Sequence, residues 1–158
     1  MKTSPVKMLK KTQALYRNLA KAKTLEVAVG LPKEEVTGIV YEKTGKTLVE
    51  VGSYHEYGIG QPIRSFLRMP LAMKEREIDR QLKAQYKAVI EKGKDPKVAL
   101  EAVGIEALNA ITDAFKTGGF GTWTPLNQKT IDAKGSSAIL IDDGILKNAV
   151  TWVVRNVT

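Results

Sequence analysis

The sequence predicts an α+β fold, in which a small mixed or antiparallel sheet packs against two long helices and an amphipathic helix lies at the N-terminus. Three observations predict it. Apolar residues recur at helical spacing in three segments, they alternate at strand spacing near both ends of the chain, and Gly or Pro separates the segments. The 158 residues carry no internal repeat or linker, so residues 1–158 are predicted to form a single domain.

The first 32 residues predict a helix followed by a strand. Over residues 5–22, apolar positions fall along one side of a helix. Between residues 25 and 31 they alternate, as in a half-buried strand, until Pro32 stops the pattern. The residues concerned are Met8, Leu15, Leu19 and Ala22 in the helix, and Leu25, Val27, Val29 and Leu31 in the strand.

The next segment leaves two interpretations open. Residues 33–46 are charged and contain two glycines, which predicts a loop or a hairpin with an added short strand at 39–41. Residues 46–57 fit either a strand or a helix, and the glycines and proline of residues 58–62 end whichever forms. The strand interpretation depends on Leu48, Val49 and Val51, and the helical one on Val51, Tyr54 and His55.

Two long helices are predicted in the middle of the chain. The first begins at Pro70 and keeps an apolar stripe up to Gly93. The second has Asp95 as N-cap and Pro96 in its first turn, and it ends at the glycine pair of residues 118–119. Because its apolar arc is wide, we expect the second helix to be the more buried of the two.

The last forty residues predict short elements. Thr124-Pro125 repeats the N-cap signature and predicts a helix over residues 125–133. Residues 138–141 predict a strand or an extended segment, residues 144–149 a helical turn, and residues 150–157 the last strand.

The composition excludes several kinds of site. The chain has no cysteine and a single histidine, which excludes disulfides and thiolate chemistry and argues against a histidine-built metal site. No cofactor and no metal are therefore predicted. No apolar run approaches the roughly 20 residues that span a bilayer, and the basic N-terminus lacks the apolar stretch of a secretory signal.

Almost all of the net charge lies in the first 23 residues. They hold seven basic side chains and no acidic one, so they carry +7 of the net +8. The segment is either part of the domain or an arm on the body formed by residues 24–158. It fits a solvated face, an acidic protein partner, or the phosphates of DNA or lipid. Because no aromatic residues are interleaved for base stacking, we favour the solvated face and the acidic protein partner. The candidate partner-binding surface consists of Lys7, Lys10, Lys11, Arg17 and Lys21.

One segment is similar to a catalytic loop. Ile139-Leu-Ile-Asp-Asp-Gly is similar to the apolar-Asp-Thr-Gly loop of aspartic proteases. Here Asp143 would add a carboxylate where a hydroxyl normally fixes that loop, and like charges so close repel each other. The long predicted helices also disagree with an all-β protease. We therefore interpret the segment as a turn, in which Asp142 or Asp143 caps the next helix.

Two other patterns are weak signs of catalysis. His55-Glu56 could transfer a proton, but no nucleophile accompanies the pair, so a histidine on a helix face or at an interface is preferred. The glycines of residues 118–121 lack the Lys-Ser/Thr of a phosphate-binding loop. We expect them to end a helix, and we predict that the chain is not an enzyme.

Arg64 and Arg68 flank Ser65-Phe66-Leu67 just before a predicted helix. A guanidinium is suited to bidentate pairing with a carboxylate. Two interpretations stay open. Either the arginines pin this loop to acids or carbonyls of their own chain, or they hold a neighbouring subunit.

Several segments occur in a characteristic order. They are Tyr54-His-Glu-Tyr-Gly, Pro62-Ile-Arg-Ser-Phe-Leu-Arg, two helices, Trp123-Thr-Pro-Leu with Thr130 and Lys134, and Ile139-Leu-Ile-Asp-Asp-Gly-Ile-Leu-Lys-Asn-Ala-Val. This order resembles the tail-completion, or virion morphogenesis, proteins of tailed bacteriophages, the Mu G-like neck group. The resemblance covers residues 48–154, about two-thirds of the chain. Tyr57, Ser65 and Asp143 stand where that family usually has Phe, Pro and Thr.

The resemblance implies a structural virion protein at the head–tail junction. Such a subunit would form a homo-oligomeric ring and contact the portal or head–tail adaptor and the tail terminator or tube proteins. A closed ring needs two different faces of one subunit to meet. The residue types enriched in such contacts predict an interface at Arg64, Phe66, Arg68, Trp123 and Trp152. A DNA-binding accessory protein that uses the basic N-terminal helix is the alternative.

Overall fold

The structure, a computed structural model, describes residues 5–32, 36–42, 44–140 and 144–157. Within these ranges the chain forms seven helices and two antiparallel two-stranded sheets, which confirms the predicted α+β class. The elements in chain order are α1 (Pro5–Ala22), β1 (Leu25–Gly30), β2 (Val40–Tyr41), β3 (Lys46–Thr47), α2 (Leu48–Tyr57), α3 (Arg68–Met73), α4 (Glu75–Lys92), α5 (Pro96–Thr117), α6 (Gln128–Lys134), α7 (Ile145–Ala149) and β4 (Thr151–Asn156).

The first and last strands pair and lie on the longest helix. β1 and β4 are antiparallel, with a register that runs from Leu25 opposite Asn156 to Gly30 opposite Thr151. Both strands contact α5. A Cβ atom on Gly104 of α5 would lie 2.8 Å from Cγ of Trp152, so the missing side chain allows the sheet to approach the helix closely.

The second long helix begins and ends as its sequence predicts. The side chain of Asp95 accepts a hydrogen bond from the N–H of Lys97, Pro96 occupies the first turn, and Gly118 ends the helix with φ 63°. The first long helix differs from the prediction, because a break at Lys74 (φ −104°, ψ 13°) divides it into α3 and α4. Pro70 lies inside α3 and is buried.

Residues 48–57 form a helix rather than a strand. Thr47 and Glu50 make a reciprocal capping box, in which Thr47 Oγ1 accepts from the N–H of Glu50 and Glu50 Oε2 accepts from the N–H of Thr47 at 2.8 Å. The predicted hairpin before it is also present, since β2 and β3 pair with Val40 opposite Thr47.

The C-terminal third departs most from expectation. The short helix begins at Gln128 rather than 125, because Asn127, not Thr124, supplies the N-cap oxygen. The strand or extended segment predicted at 138–141 is wrong at Ile139 and Leu140, which form a turn with φ 59° at Leu140. Ile141, Asp142 and Asp143 lie outside the described residues, and so does the proposed capping role of the two aspartates.

Candidate functional site

The carboxylate of Glu56, near the end of α2, is the centre of a buried hydrogen-bond cluster. Glu56 is 4% exposed. One oxygen accepts from the N–H groups of Phe66 and Leu67 at 2.8 and 2.9 Å. The other accepts from the Ser65 hydroxyl at 2.7 Å, and from the N–H and Nε of Arg68 at 3.1 and 2.9 Å. The loop of residues 65–68 therefore folds around this side chain, which we call the Glu56 cluster.

Hydrogen bonding keeps the Glu56 carboxylate ionised. Burial acts to raise the pKa of Glu56, but hydrogen bonds from Leu67, Ser65 and Arg68 outweigh it and hold the pKa below its ordinary value. A carboxylate that accepts this many bonds has little capacity left for another partner. Its role is therefore to organise the chain rather than to take a proton.

Arg64 joins the start of the same loop to the segment after α5. Its N–H donates to the carbonyl oxygen of His55 at 2.9 Å. Its Nε donates to the carbonyl oxygen of Thr124 at 3.0 Å, and its Nη2 to that of Pro125 at 3.5 Å. The first of the two sequence interpretations is thus observed, since Arg64 pins carbonyls of its own chain.

Trp123 connects the loop of residues 65–68 to the aromatic core. Its Nε1 donates to the carbonyl oxygen of Ser65 at 3.2 Å. Its ring meets the Phe115 ring edge-on, with the ring centroids 5.8 Å apart. Phe115 in turn packs on Phe66, with their ring centroids 5.6 Å apart. The segment that contains Trp123 therefore meets the segments that contain Glu56 and Phe66, which lie about 60 positions earlier in the sequence.

A cleft of about 670 Å³ opens beside this junction. Its described lining combines apolar side chains with a few basic and amide groups and includes no acidic residue. We call it the Arg64 cleft. It is lined by Tyr41, Val51, His55, Gly60, Gln61, Pro62, Arg64, Thr124, Pro125, Leu126, Asn127, Thr130, Lys134, Leu140, Gly144, Ile145 and Leu146.

The charged side chains among the described lining residues of the cleft are all basic. Burial and the charges of Arg64 and Lys134 lower the pKa of His55 to about 4, so the imidazole is neutral at pH 7. Burial also lowers the pKa of Arg64, which is 6% exposed. Lys134 Nζ donates to the carbonyl oxygen of Ala138 at 2.6 Å. In the described part of the chain, neither Arg64 nor Lys134 forms an ion pair.

The structure separates the five residues predicted to form a subunit interface. Phe66 and Trp123 are 0% and 5% exposed, which corrects the expectation that these two side chains face a neighbour: they pack in their own core. Arg64 is buried as well. The Arg68 side chain is 62% exposed and lies over the ring of Tyr57 at 4.4 Å, and Trp152 is half-buried against Gly104. For Arg68 and Trp152 an interface role stays a prediction.

The basic N-terminal helix is attached at its C-terminal end. Lys21 Nζ lies 2.6 Å from a carboxylate oxygen of Asp95, and Asn18 Nδ2 lies 3.4 Å from the carbonyl oxygens of Gly93 and Lys94. α1 therefore packs on its own body around the connection between α4 and α5. The other four residues of the predicted basic surface are exposed on the helix. They are Lys7, Lys10, Lys11 and Arg17.

The two weak catalytic patterns have structural roles. His55 Nδ1 lies 2.8 Å from Gln61 Nε2, whereas the Glu56 carboxylate faces the loop of residues 65–68, so the two side chains form no proton-transfer pair. A Cβ atom on Gly119 would lie 2.3 Å from the Trp123 ring. Gly118 and Gly119 therefore end α5 and leave room for Trp123.

The described residues contain no group of His, Asp or Glu side chains arranged to hold a metal ion. None of the helices in the described ranges is long and apolar enough to cross a membrane.

The chain has no match among protein-family models, curated proteins or solved structures.

The sequence patterns do not predict the structural role of Glu56 or the place of Lys134 in the cleft. Glu56 stands beside His55 and in the Tyr54-His-Glu-Tyr-Gly segment, but its five donors follow it by nine to twelve positions and no local pattern links them. Lys134 stands only at the end of the Trp123-Thr-Pro-Leu motif. An acid followed by an Arg-Ser-Phe-Leu-Arg loop is the available signal for Glu56, since consecutive N–H groups of a loop commonly bind a carboxylate.

Proposed function

We propose that this chain is a structural virion protein of a tailed bacteriophage, which forms an oligomeric ring at the head–tail junction and joins or stabilises the portal or adaptor and the tail. One observation carries the proposal. Three of the segments on which the resemblance depends meet through Glu56, Arg64 and Trp123. These segments form one contact network, so the motifs of the resemblance lie together in a single structural unit.

The surface next to the Glu56 cluster supports a role in assembly. Large exposed apolar side chains lie at the end of α2, at Tyr57, and on the short connection after it, at Ile59 and Ile63. A Cβ on Gly58 would lie 2.4 Å from Ile63 Cγ1, so Ile63 folds back towards the end of α2. Arg68 lies over Tyr57. We call Tyr57, Ile59, Ile63 and Arg68 the loop patch. Exposed apolar residues beside an arginine are typical of interfaces.

Native mass spectrometry of the purified full chain over a range of concentrations tests the proposal. We expect one closed oligomer of defined stoichiometry or a monomer that assembles at high concentration, and the protein as a component of purified virions. A chain that stays monomeric at every concentration and is absent from particles would rule the proposal out.

The second candidate is a DNA-binding accessory protein, and the exposed basic side chains of α1 favour it. A salt titration of duplex binding tests it, because log affinity falls with log salt in proportion to the number of phosphates contacted. Charge removal by Lys10→Gln with Lys11→Gln is preferable to deletion, since α1 packs on the body. Weaker binding with a shallower salt slope supports the candidate, and negligible binding at physiological salt excludes it.

A further inference from the structure

We propose that the Arg64 cleft binds the carboxylate of an acidic side chain carried on a partly apolar protein segment. The cleft would recognise such a segment with or without ring formation, so the inference goes beyond the proposed function. It depends on three features of the described residues, namely a buried guanidinium, the surrounding charge and the walls of the cleft.

The first feature is an unneutralised buried arginine. Arg64 is 6% exposed, and fully buried arginines are normally paired with an acid because an isolated buried charge is costly. Its side chain makes two hydrogen bonds, both to carbonyl oxygens, and the longer one is 3.5 Å. A guanidinium has five donors, so Arg64 keeps donors available on a side chain that lines the cleft. Two carbonyl dipoles hold the group in position without cancelling its charge.

The second feature is that nothing described in the cleft opposes this charge. Lys134 lines the same cleft, and its one hydrogen-bond partner among the described residues is the carbonyl oxygen of Ala138. No Asp or Glu is among the described lining residues. The depressed pKa of His55 agrees with this geometry, because burial and the two neighbouring charges disfavour protonation of the ring. An anion placed between Arg64 and Lys134 would supply the counter-charge that the described lining residues do not provide.

The third feature distinguishes a carboxylate on a peptide from a free ion. A guanidinium edge pairs two-to-two with the planar carboxylate group. The surrounding walls include Val51, Pro62, Leu126 and Ile145, which would bury the apolar neighbours of an acidic side chain. Gln61 and Asn127 can pair with a peptide backbone. At about 670 Å³ the cleft is in the usual size range of ligand sites, and it exceeds what one small anion fills.

The single histidine of the chain makes the test direct. His55 is the only imidazole and it lines the cleft, so its NMR resonances report binding without assignment ambiguity. The full chain is titrated with acetyl-Leu-Asp-Leu-amide and with acetyl-Leu-Asn-Leu-amide at constant ionic strength, because salt screens the interaction. We expect saturable shifts and a raised pKa of His55 with the acidic peptide, and at least tenfold weaker binding of the amide peptide.

Two lysines on one helix give a matched pair of variants. Lys134→Gln removes a cleft charge and should weaken binding of the acidic peptide about tenfold, as expected for a charge-assisted contact. Lys129→Gln makes the same change on an exposed position of α6 outside the cleft and should leave the affinity unchanged. Arg64→Gln should abolish binding, and it is interpreted only if its circular dichroism and thermal midpoint match the wild type. Lys134→Gln keeps the proposal falsifiable if Arg64→Gln does not fold.

Further probes separate the possible sources of the anion. Acetate binding as tight as that of the acidic peptide would make the cleft a small-anion site and overturn the proposal. Tighter binding of inorganic phosphate would overturn it as well. Equal binding of the Asp and Asn peptides, or equal effects of Lys134→Gln and Lys129→Gln, would show that the charge of the cleft does not recognise a carboxylate.

Discussion

Arg68 holds Glu56 at two points. Its Nε donates to the Glu56 carboxylate at 2.9 Å and its Nη2 donates to the Glu56 backbone carbonyl at 3.1 Å. The end of α2 and the start of α3 are thereby fixed to each other. Because the other side of the Arg68 side chain remains exposed and covers Tyr57, one residue stabilises the subunit and also belongs to the loop patch.

Glu56→Gln should reduce the free energy of unfolding by about 2–4 kcal/mol, because it removes a charged acceptor and points amide hydrogens at buried donors. Urea unfolding measures the loss. Glu91→Gln, an exposed change on α4 whose partner Lys87 lies 3.9 Å away, should alter stability little. A loss as small for Glu56 as for Glu91 would show that the Glu56 cluster does not hold the loop.

Lowering the pH from 6.5 towards 4 should destabilise the protein through His55. Its pKa is about 4 in the folded chain and 6.5 ordinarily, so between these values the unfolded chain binds the extra proton. The stability that the neutral His55 ring contributes is fully present above pH 6.5 and is lost as the pH falls towards 4. The slope is at most about 1.4 kcal/mol per pH unit, and it is smaller here because the ring is only half-buried.

Chemical denaturation at several pH values measures this slope, and His55→Gln should flatten it between pH 6.5 and 4. The Glu56 contribution is distinguishable above about pH 4.5, since hydrogen bonds hold the pKa of that carboxyl below its ordinary value of 4.5 and its stabilisation begins to be lost only as the pH falls to that value. An unchanged slope in His55→Gln would assign the pH dependence to other groups.

Gly104→Ala should destabilise the chain by about 1–3 kcal/mol, since the added methyl would lie 2.8 Å from the Trp152 ring and 3.0 Å from Val27. Helix propensity alone predicts the opposite sign, because Ala is favoured over Gly within a helix. The thermal midpoint checks which effect dominates. In a Trp152→Leu background the same substitution should cost less, and an equal cost would locate the strain elsewhere.

Local chemistry explains which elements the sequence could predict. α1, α5, β1 and β4 were predicted within one or two residues, because their periodicity, the Asp95-Pro96 start and the terminal glycines act on neighbouring positions. The break at Lys74 has no sequence signal, since the apolar stripe continues through it. The cap at Asn127 is not predicted, because Thr124-Pro125 offers a similar signature three residues earlier.

The site was less predictable because it depends on contacts between distant segments. Arg64 and Trp123 were singled out by residue type, but their partners, the carbonyls of Thr124 and Ser65, lie about 60 positions away in the chain. Residue type alone therefore could not tell a buried anchor from an exposed contact. A buried anchor and an exposed contact use the same hydrogen-bond donors, and only the burial of the side chain distinguishes them.

The burial of Phe66 and Trp123 decides how an assembly role can be tested. Phe66→Ala or Trp123→Ala would leave a cavity in the core and cost about 3–5 kcal/mol, so lost assembly in these variants would follow from unfolding. The loop patch is a better target, because Ile63 is exposed. Ile63→Lys should change the free energy of unfolding by less than about 0.5 kcal/mol.

The same variant should weaken self-association at least tenfold if the loop patch lies at a subunit contact, since a buried unpaired ammonium opposes association. Sedimentation velocity over a concentration series measures it. Ile105→Lys supplies the matched control, because Ile105 is similarly exposed on α5 and lysine is a good helix former. Normal association of Ile63→Lys, or equal disruption by both variants, would remove the loop patch from the interface while leaving the stabilising role of Arg68 intact.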